Sequence, residues 1–177
     1  IGCDNGLPGV EKECKFLVEQ LSQYIHVDLI TGRDATKAAV MHLLERPYDI
    51  VHYAGHAAPN GLSVSDGWIT TKDINGFCGG GVVFINACGS GRGVTTAGLA
   101  ESFISSGASA FIGNFWSVHD ETAAQLALDF YMRAFQLSGA CLPVGESLRR
   151  AKLKSFERGD GVWINFVLYG DPQLLLL

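Results

Sequence analysis

The chain has 177 residues, of which 47% are hydrophobic and 18% are charged, a composition that supports one domain with a large core. Its 13 basic and 18 acidic residues leave a formal net charge of −5 with no basic run, which argues against nucleic-acid binding. The uncharged stretch over residues 103–119 contains four serines, two glycines and an asparagine, so it is too polar to span a membrane.

Short apolar runs alternate with amphipathic stretches along the chain. The predicted strands are the tail of one at Ile1–Asp4, a short one at His26–Ile30, two runs that end at His56 and at Cys88, and the segments Ala108–Phe115 and Trp163–Tyr169. The predicted helices run from about Val10 to Tyr24, from a cap at Asp34 to a stop at Pro47, over Leu99 to Ile104, over Ala123 to Phe135, and onward from Pro143. Strands that alternate with helices predict a mostly parallel sheet covered on both faces.

Two polar, glycine-rich segments, Asn60–Gly67 and Gly89–Gly93, are interpreted as mobile loops. No internal repeat or low-complexity linker interrupts the alternation, so residues 1–177 are expected to form a single domain. Because the first predicted strand is cut short, we expect this domain to have been excised or cleaved from a longer polypeptide.

The cysteines indicate neither a disulfide framework nor a zinc site. They are odd in number and irregular in spacing, and no C-x-x-C pair occurs among Cys3, Cys14, Cys78, Cys88 and Cys141. Cys14 shares an apolar helical face with Val10 and Leu17 and is interpreted as a core residue. We therefore expect no metal and no cofactor, and a reducing, cytoplasmic location.

Two of the predicted strands end at reactive side chains. The run Ile50–Ala54 leads to His56, and the run Val82–Ala87 leads to Cys88 followed by glycines. Parallel strands that are buried on both faces have nearly continuous apolar sequences of this kind. In open α/β sheets, ligands bind at the carboxyl ends of such strands. If the two strands are neighbours, the imidazole and the thiol come side by side, as a cysteine nucleophile with a histidine base requires.

The segment after Cys88 supplies further groups that this chemistry needs. A thiol becomes a nucleophile when a nearby imidazole or helix N-terminus lowers its pKa from about 8.5. Gly89, Gly91 and Gly93 allow the backbone to approach a substrate closely and to aim N–H groups at a developing oxyanion.

At these residues the chain resembles the CHAT domains, which are caspase-like peptidase domains related to separase. The resemblance rests on an ordered set of blocks: Leu7–Glu13, the segment ending at His56, Asn86–Gly91, Gly107–Asp120, Val144–Lys152 and Trp163–Pro172. It covers about residues 7–172. No single block is specific, whereas their order along the chain is.

The resemblance implies a caspase-like three-layer α/β/α sandwich and a cysteine endopeptidase with His56 as catalytic histidine and Cys88 as nucleophile. It also implies that oxyanion or substrate contacts come from Gly55, Ala57, Gly89 and Asp120. The expected partners are a protein or peptide substrate and a tetratricopeptide-repeat or other sensor domain on the same polypeptide. Neither nucleic acid nor a membrane is expected to bind directly.

Two positions depart from the family pattern. Ala57 stands where members often carry glycine after the histidine, although its backbone N–H is retained as the expected second oxyanion donor. The caspase-type Gln-Ala-Cys-x-Gly is replaced by Asn86-Ala-Cys-Gly-Ser90, so aspartate specificity is not implied.

Asp120 has two compatible interpretations, as the N-cap of the following helix and as an acid that lines the substrate pocket. In the pocket role the resemblance to separase implies a basic side chain at P1, although Ser117 stands where separases tend to carry a second acid. His52 lies four residues before His56, about 13 Å along the strand, and is interpreted as a buried, hydrogen-bonded histidine rather than a second base.

Two other classes of function compete with a peptidase. A nucleotide-binding module could use Gly89, Gly91 and Gly93, but their spacing matches neither a dinucleotide fingerprint nor a Walker loop. A catalytically silent CHAT domain that acts as an interaction or regulatory scaffold is the stronger alternative. The intact His56 and Cys88 argue against it.

Overall fold

The computed structural model of the chain describes residues 8–58, 61–77, 79–89, 97–115, 120–135 and 141–176. Within these residues the α-helices are α1 (Pro8–Leu21), α2 (Lys37–Leu44), α3 (Ala97–Ser105), α4 (Asp120–Ala134) and α5 (Val144–Arg158). The strands are β1 (Ile50–Ala58), β2 (Gly61–Val64), β3 (Gly67–Thr70), β4 (Val82–Gly89), β5 (Ala110–Asn114) and β6 (Phe166–Gly170). Short 3₁₀ helices occur at Gly32–Asp34, Asp73–Gly76 and Val162–Ile164.

The described strands form one sheet in the order β3-β2-β1-β4-β5-β6. β1, β4 and β5 pair in parallel, whereas β2 and β6 run antiparallel to their neighbours. β3 pairs antiparallel with β2 and so runs in the same direction as β1, which leaves four of the six strands running one way. The mostly parallel sheet expected from the sequence is confirmed.

Helices cover both faces of this sheet, which confirms the three-layer α/β/α architecture. On one face, side chains such as Tyr53, Val83 and Phe111 pack with α2, α3 and the β2–β3 hairpin. On the other face, Phe84 and Ile112 pack with α1, α4 and α5. The alternation follows from strand geometry, since successive side chains point to opposite faces. Burial of each large apolar side chain contributes about 1.5–3 kcal/mol.

The long helices match the apolar periodicity from which they were predicted. In α4 all but one of the predicted inward positions are buried, namely Ala123, Leu126, Ala127, Phe130, Tyr131 and Ala134. The exception is Phe135, which follows the end of α4 and is half-buried. α5 begins directly after Pro143, as expected. β6 ends at Gly170, where the last predicted strand was expected to stop, but it begins at Phe166. The predicted start at Trp163 was wrong, because Val162–Ile164 forms a 3₁₀ helix. Gly170 has a φ of 96°, and a Cβ there would lie 2.4 Å from the carbonyl oxygen of Ser109. A side chain at this position is therefore excluded by both conformation and space.

Three further local predictions were wrong. Residues 26–30 form no strand of the sheet. α2 is capped by Thr36, whose hydroxyl accepts a hydrogen bond from the Ala39 N–H at 3.3 Å, whereas Asp34 lies in the preceding 3₁₀ helix. α1 ends at Leu21, and Tyr24 is 52% exposed because it lies in the turn beyond that end.

Of the segment interpreted as a mobile loop at Asn60–Gly67, the described residues 61–67 are instead the first part of a β-hairpin. Gly61 pairs with Thr70 and Val64 pairs with Gly67. Leu62, Val64 and Ile69 are buried in the hydrophobic core. These apolar contacts stabilise the hairpin, although the sequence of the segment is largely polar.

Several predicted features lie outside the described residues. These are the strand tail at Ile1–Asp4, Cys3, Cys78, the loop positions 90–93 and the segment 116–119. None of the described helices is both long and apolar enough to cross a membrane.

Candidate active site

His56 and Cys88 are register partners on two neighbouring parallel strands. The β1–β4 ladder runs from Ile50↔Val82 to Ala57↔Gly89 and places His56 opposite Cys88. Neighbouring strands lie about 4.8 Å apart, so the two backbones are adjacent at the carboxyl edge of the sheet. The adjacency expected from the sequence is confirmed. His56 is half-buried, and the side chain of Cys88 lies outside the described part of the structure.

The end of β1 is tied to the hairpin by Tyr53. This side chain is only 1% exposed, and its hydroxyl lies 2.7 Å from the carbonyl oxygen of His56 and 2.8 Å from that of Ser63. The hydroxyl proton can be donated to either carbonyl. Both interactions hold the backbone at His56 in place from the face opposite α1.

The end of β4 is tied to β5 by a side chain instead of the backbone ladder. Ladder pairing between β4 and β5 extends from Val82↔Ala110 to Ile85↔Gly113. Beyond it, the Asn114 Oδ1 accepts a hydrogen bond from the Ala87 N–H at 3.3 Å. Asn114 thus holds the Asn86–Ala87 peptide, one residue before Cys88.

Next to these strand ends lies a buried polar cluster formed by Glu13, His52, Asn86, Asn114 and Tyr131. Glu13 reaches the sheet from α1, and its Oε1 lies 3.0 Å from the His52 Nε2. The Asn86 Nδ2 lies 2.8 Å from each carboxylate oxygen of Glu13. The Tyr131 hydroxyl on α4 lies 2.6 Å from the His52 Nδ1, and the Asn114 Nδ2 lies 3.4 Å from the Asn86 Oδ1.

The cluster satisfies a carboxylate that is almost fully removed from water. Glu13 is 3% exposed, and an ionised carboxyl buried without partners would cost several kcal/mol. The donors from His52 and Asn86 offset that cost. Burial, followed by the negative charge of Glu13, raises the pKa of Tyr131 well above its ordinary value, so this hydroxyl keeps its proton.

His52 therefore has the role expected from the sequence, since both ring nitrogens have hydrogen-bond partners within the protein. When neutral, it can donate from Nε2 to Glu13 and accept at Nδ1 from Tyr131; when protonated, it donates to both. It also stacks on Phe84, with ring centroids 5.3 Å apart. Its side chain is 13% exposed, which agrees with a buried, hydrogen-bonded histidine.

Glu13, Asn86, Asn114 and Tyr131 were not singled out from the sequence as functional residues. A signal for Glu13 was present, because it follows Val10 by three positions and precedes Leu17 by four, on the inward face of α1. Asn86 interrupts an otherwise apolar strand run, and Asn114 closes another. Tyr131 was predicted only as a core residue.

The remaining predicted site residues that lie in strands, Gly55, Ala57 and Gly89, occupy the same edge of the sheet. Gly55 pairs with Ala87, and Ala57 pairs with Gly89, the last residue of β4. Asp120 is the first residue of α4, and its side chain lies outside the described part of the structure. Oxyanion and substrate contacts by these residues stay predictions. The described residues contain no group of three or more His, Cys, Asp or Glu side chains that could hold a metal ion.

A cavity of about 690 Å³ lies at the other end of β1. Its lining includes the start of β1 at Ile50, residues 24–29 and the segment before β1. His52 and Tyr131 also line it. Because His56 and Cys88 lie at the carboxyl ends of the strands, this cavity is separate from the predicted catalytic edge.

The sequence matches the CHAT domain family over residues 4–171. The chain belongs to the CHAT domain family. That match spans all of the described strands and helices that position His56 and Cys88. No curated protein sequence matches this CHAT domain significantly.

Solved structures with the same fold include cysteine proteases. The CHAT domain is similar to the Arg-specific cysteine proteinase gingipain R, with a TM-score of 0.77, 15% identity, and coverage of 99% of this chain and 46% of that one. It is also similar to Saccharomyces cerevisiae separase in complex with securin, with a TM-score of 0.68, 14% identity, and coverage of 96% and 11%. A further protease structure has a TM-score of 0.73 at 13% identity, with coverage of 98% and 46%.

These likenesses establish the fold of the CHAT domain. The chain spans less than half the length of each of these solved proteins.

Proposed function

We propose that this CHAT domain is a cysteine endopeptidase in which His56 and Cys88 form the catalytic dyad. The observation that carries the proposal is the register pair His56↔Cys88 at the carboxyl edge of a parallel strand pair. Membership of the CHAT family and a fold shared with cysteine proteases support it. The anchors at Tyr53 and Asn114 support it further, because they hold the backbone at these two strand ends.

In the proposed mechanism His56 takes the proton of the Cys88 thiol. The resulting thiolate attacks the carbonyl carbon of a peptide bond, and the carbonyl electron pair moves onto oxygen. Backbone N–H groups at the strand ends, including those of Ala57 and Gly89, would stabilise that oxyanion. His56 then gives a proton to the leaving amine as the C–N bond breaks and a thioester forms. Water hydrolyses the thioester, which releases the carboxylic acid and regenerates the thiol.

The substrate preference proposed for this site is a basic residue at P1. β5 is the next strand after β4, and α4 begins at Asp120 a few residues after β5 ends. A carboxylate at this edge of the sheet would pair with the guanidinium of an arginine in bidentate geometry. Gingipain R, which shares the fold, is an Arg-specific proteinase.

Regulation by a sensor domain on the same polypeptide, such as a tetratricopeptide-repeat module, is also part of the proposal. The hairpin β2–β3 flanks β1 next to His56, with Ala57 paired to Leu62. A partner that shifts this hairpin would act on the backbone at His56 through Tyr53. The proposed protease is then active only when that partner is engaged.

The experiment that tests the dyad is cleavage of a peptide library by the native full-length polypeptide and its variants. Cys88→Ala and His56→Ala should each abolish cleavage while the protein still unfolds cooperatively. Cys141→Ser and His42→Ala are matched controls, because Cys141 is half-buried elsewhere and His42 is exposed on α2. Retained proteolysis in either dyad variant would overturn the assignment.

A catalytically silent scaffold is separated from a peptidase by thiol alkylation. In a peptidase, Cys88 should react with iodoacetamide faster than Cys14, which is buried, and Cys141, which is half-buried. A silent domain would show no selective reaction at Cys88.

A further inference from the structure

The Asn86–Ala87 peptide, one residue before Cys88, is held by a chain of three polar side chains whose hydrogen-bond directions are set by Glu13. The chain runs from the Glu13 carboxylate through Asn86 and Asn114 to the Ala87 N–H. This chain links α1 to the strand end that carries the proposed nucleophile. An inference about its role in catalysis therefore rests on the proposed function.

The direction of each bond follows from chemistry at the Glu13 end. An ionised carboxylate only accepts hydrogen bonds, so Asn86 must turn its NH₂ group toward the Glu13 oxygens, 2.8 Å away. The carbonyl oxygen of Asn86 is then left facing Asn114. Since that oxygen is an acceptor, Asn114 turns its own NH₂ group toward it, at 3.4 Å.

The last bond in the chain reaches the backbone of β4. With its NH₂ group directed at Asn86, Asn114 presents Oδ1 to the Ala87 N–H at 3.3 Å. Backbone pairing between β4 and β5 ends at Ile85↔Gly113, two residues before Ala87. Asn114 thus extends the hold of β5 on β4 to the residue next to Cys88.

We propose that Glu13 is a positioning residue for catalysis, which orients the Asn86 and Asn114 amides and thereby the Asn86–Ala87 peptide, one residue before Cys88. The three side chains of this chain are all buried. Glu13 is 3% exposed, Asn86 6% and Asn114 3%, so water has little access to compete for these bonds. His52 holds the other side of the carboxylate, at 3.0 Å from Oε1.

The test compares Glu13→Gln with Asp129→Asn in the native full-length polypeptide. Asp129 is an equally buried carboxylate, at 3% exposure, but it pairs with Lys154 and Arg158 between α4 and α5, away from the strand ends. Both changes replace a buried carboxylate by an amide of nearly the same shape. Both are expected to lower the melting temperature, which measures the structural cost alone.

Positioning predicts two effects that Asp129→Asn does not produce. Glu13→Gln lets the amides turn over, so kcat should fall about 10- to 100-fold with a smaller change in KM. In protein labelled with ¹⁵N-alanine, the Ala87 amide signal should shift and exchange with solvent faster. Asn114→Ala should produce the same two effects, and the Glu13→Gln/Asn114→Ala double variant should match Asn114→Ala alone, because both act through one chain.

The Ala87 signal separates failure of this inference from failure of the proposed function, because it is read without any turnover. If the wild type cleaves peptides while Glu13→Gln retains its kcat and its Ala87 signal, positioning by Glu13 is wrong. Additive effects in the double variant would also overturn it. If no form cleaves any peptide but the Ala87 signal responds as expected, the hydrogen-bond chain stands and the peptidase assignment fails.

Discussion

The hydroxyl of Tyr53 lies 2.7 Å from the carbonyl oxygen of His56, three residues further along the same strand. The contact is possible because the Tyr53 side chain lies on the α2–α3 face of the sheet and its hydroxyl reaches the strand end, where the Ser63 carbonyl of the hairpin is also within 2.8 Å. Tyr53 therefore couples the backbone at His56 to the hairpin.

Tyr53→Phe should remove this coupling with little change in volume. We expect the free energy of unfolding to fall by about 1–2 kcal/mol, because a buried hydrogen bond is lost and its acceptors lose a donor. The value of kcat/KM should fall several-fold, since the backbone at His56 is held less firmly. Urea denaturation and peptide cleavage measure the two effects. Tyr24→Phe, at an exposed residue, should change neither, and unchanged cleavage by Tyr53→Phe would show that the hairpin does not act on His56 through this hydroxyl.

The hairpin itself should be ordered in solution. Its pairing with β1 and its buried residues Leu62 and Ile69 predict slow hydrogen exchange for the backbone amides of β2 and β3. Exchange of these amides within seconds would restore the interpretation of this segment as a mobile loop. A sensor partner that acts on the hairpin should change their exchange rates in the full-length polypeptide.

Asp73 should stabilise the hairpin in a pH-dependent way. Hydrogen bonds from Lys37 and Thr70 lower the pKa of Asp73 from 3.8 to about 2. Because the folded-state pKa lies below the unfolded value, the stabilisation is fully present above about pH 3.8 and is lost as the pH falls toward 2.

The measurement for Asp73 is urea denaturation of the wild type and of Asp73→Asn at several pH values. At pH 7 the variant should be less stable by about 1–2 kcal/mol, as expected for hydrogen bonds to a charged group. The difference should narrow as the pH is lowered from 4 toward 2. A difference that is constant over this range would show that the charge of Asp73 does not contribute.

The proposed preference for a basic P1 residue depends on Asp120. Matched peptides with Arg, Leu or Asp at P1 should be cleaved fastest when the residue is Arg. Asp120→Ala should remove most of that preference, by about tenfold or more, because the charge-assisted pair with arginine is lost. If the ranking of the three peptides is unchanged in Asp120→Ala, Asp120 acts only at the helix start and the basic preference should be dropped.

The features that the sequence determined are those with local periodicity. The apolar stretches that became β1 and β4 and the inward positions of α4 follow from spacing along the chain alone. The adjacency of His56 and Cys88 was expected on the condition that the two strands are neighbours, as in a caspase-like fold, and the strand pairing meets that condition.

Tertiary structure decided the features that depend on contacts between residues far apart in the sequence. The hairpin β2–β3 looked like a loop because its stability comes from contacts of Leu62 and Ile69 with the core rather than from strand propensity. The apolar residues at 26–30 are not in the sheet, although their composition favoured a strand.

The hydrogen-bond partners within the polar cluster could not be predicted from the sequence. Glu13 and Asn86 are 73 residues apart, and His52 and Tyr131 are 79 apart. Sequence patterns report which residues face inward, but a buried carboxylate must find donors wherever the packed elements bring them. Only the placement of α1 and α4 over β1 and β4 decided that these partners would meet beside the strand end that carries Cys88.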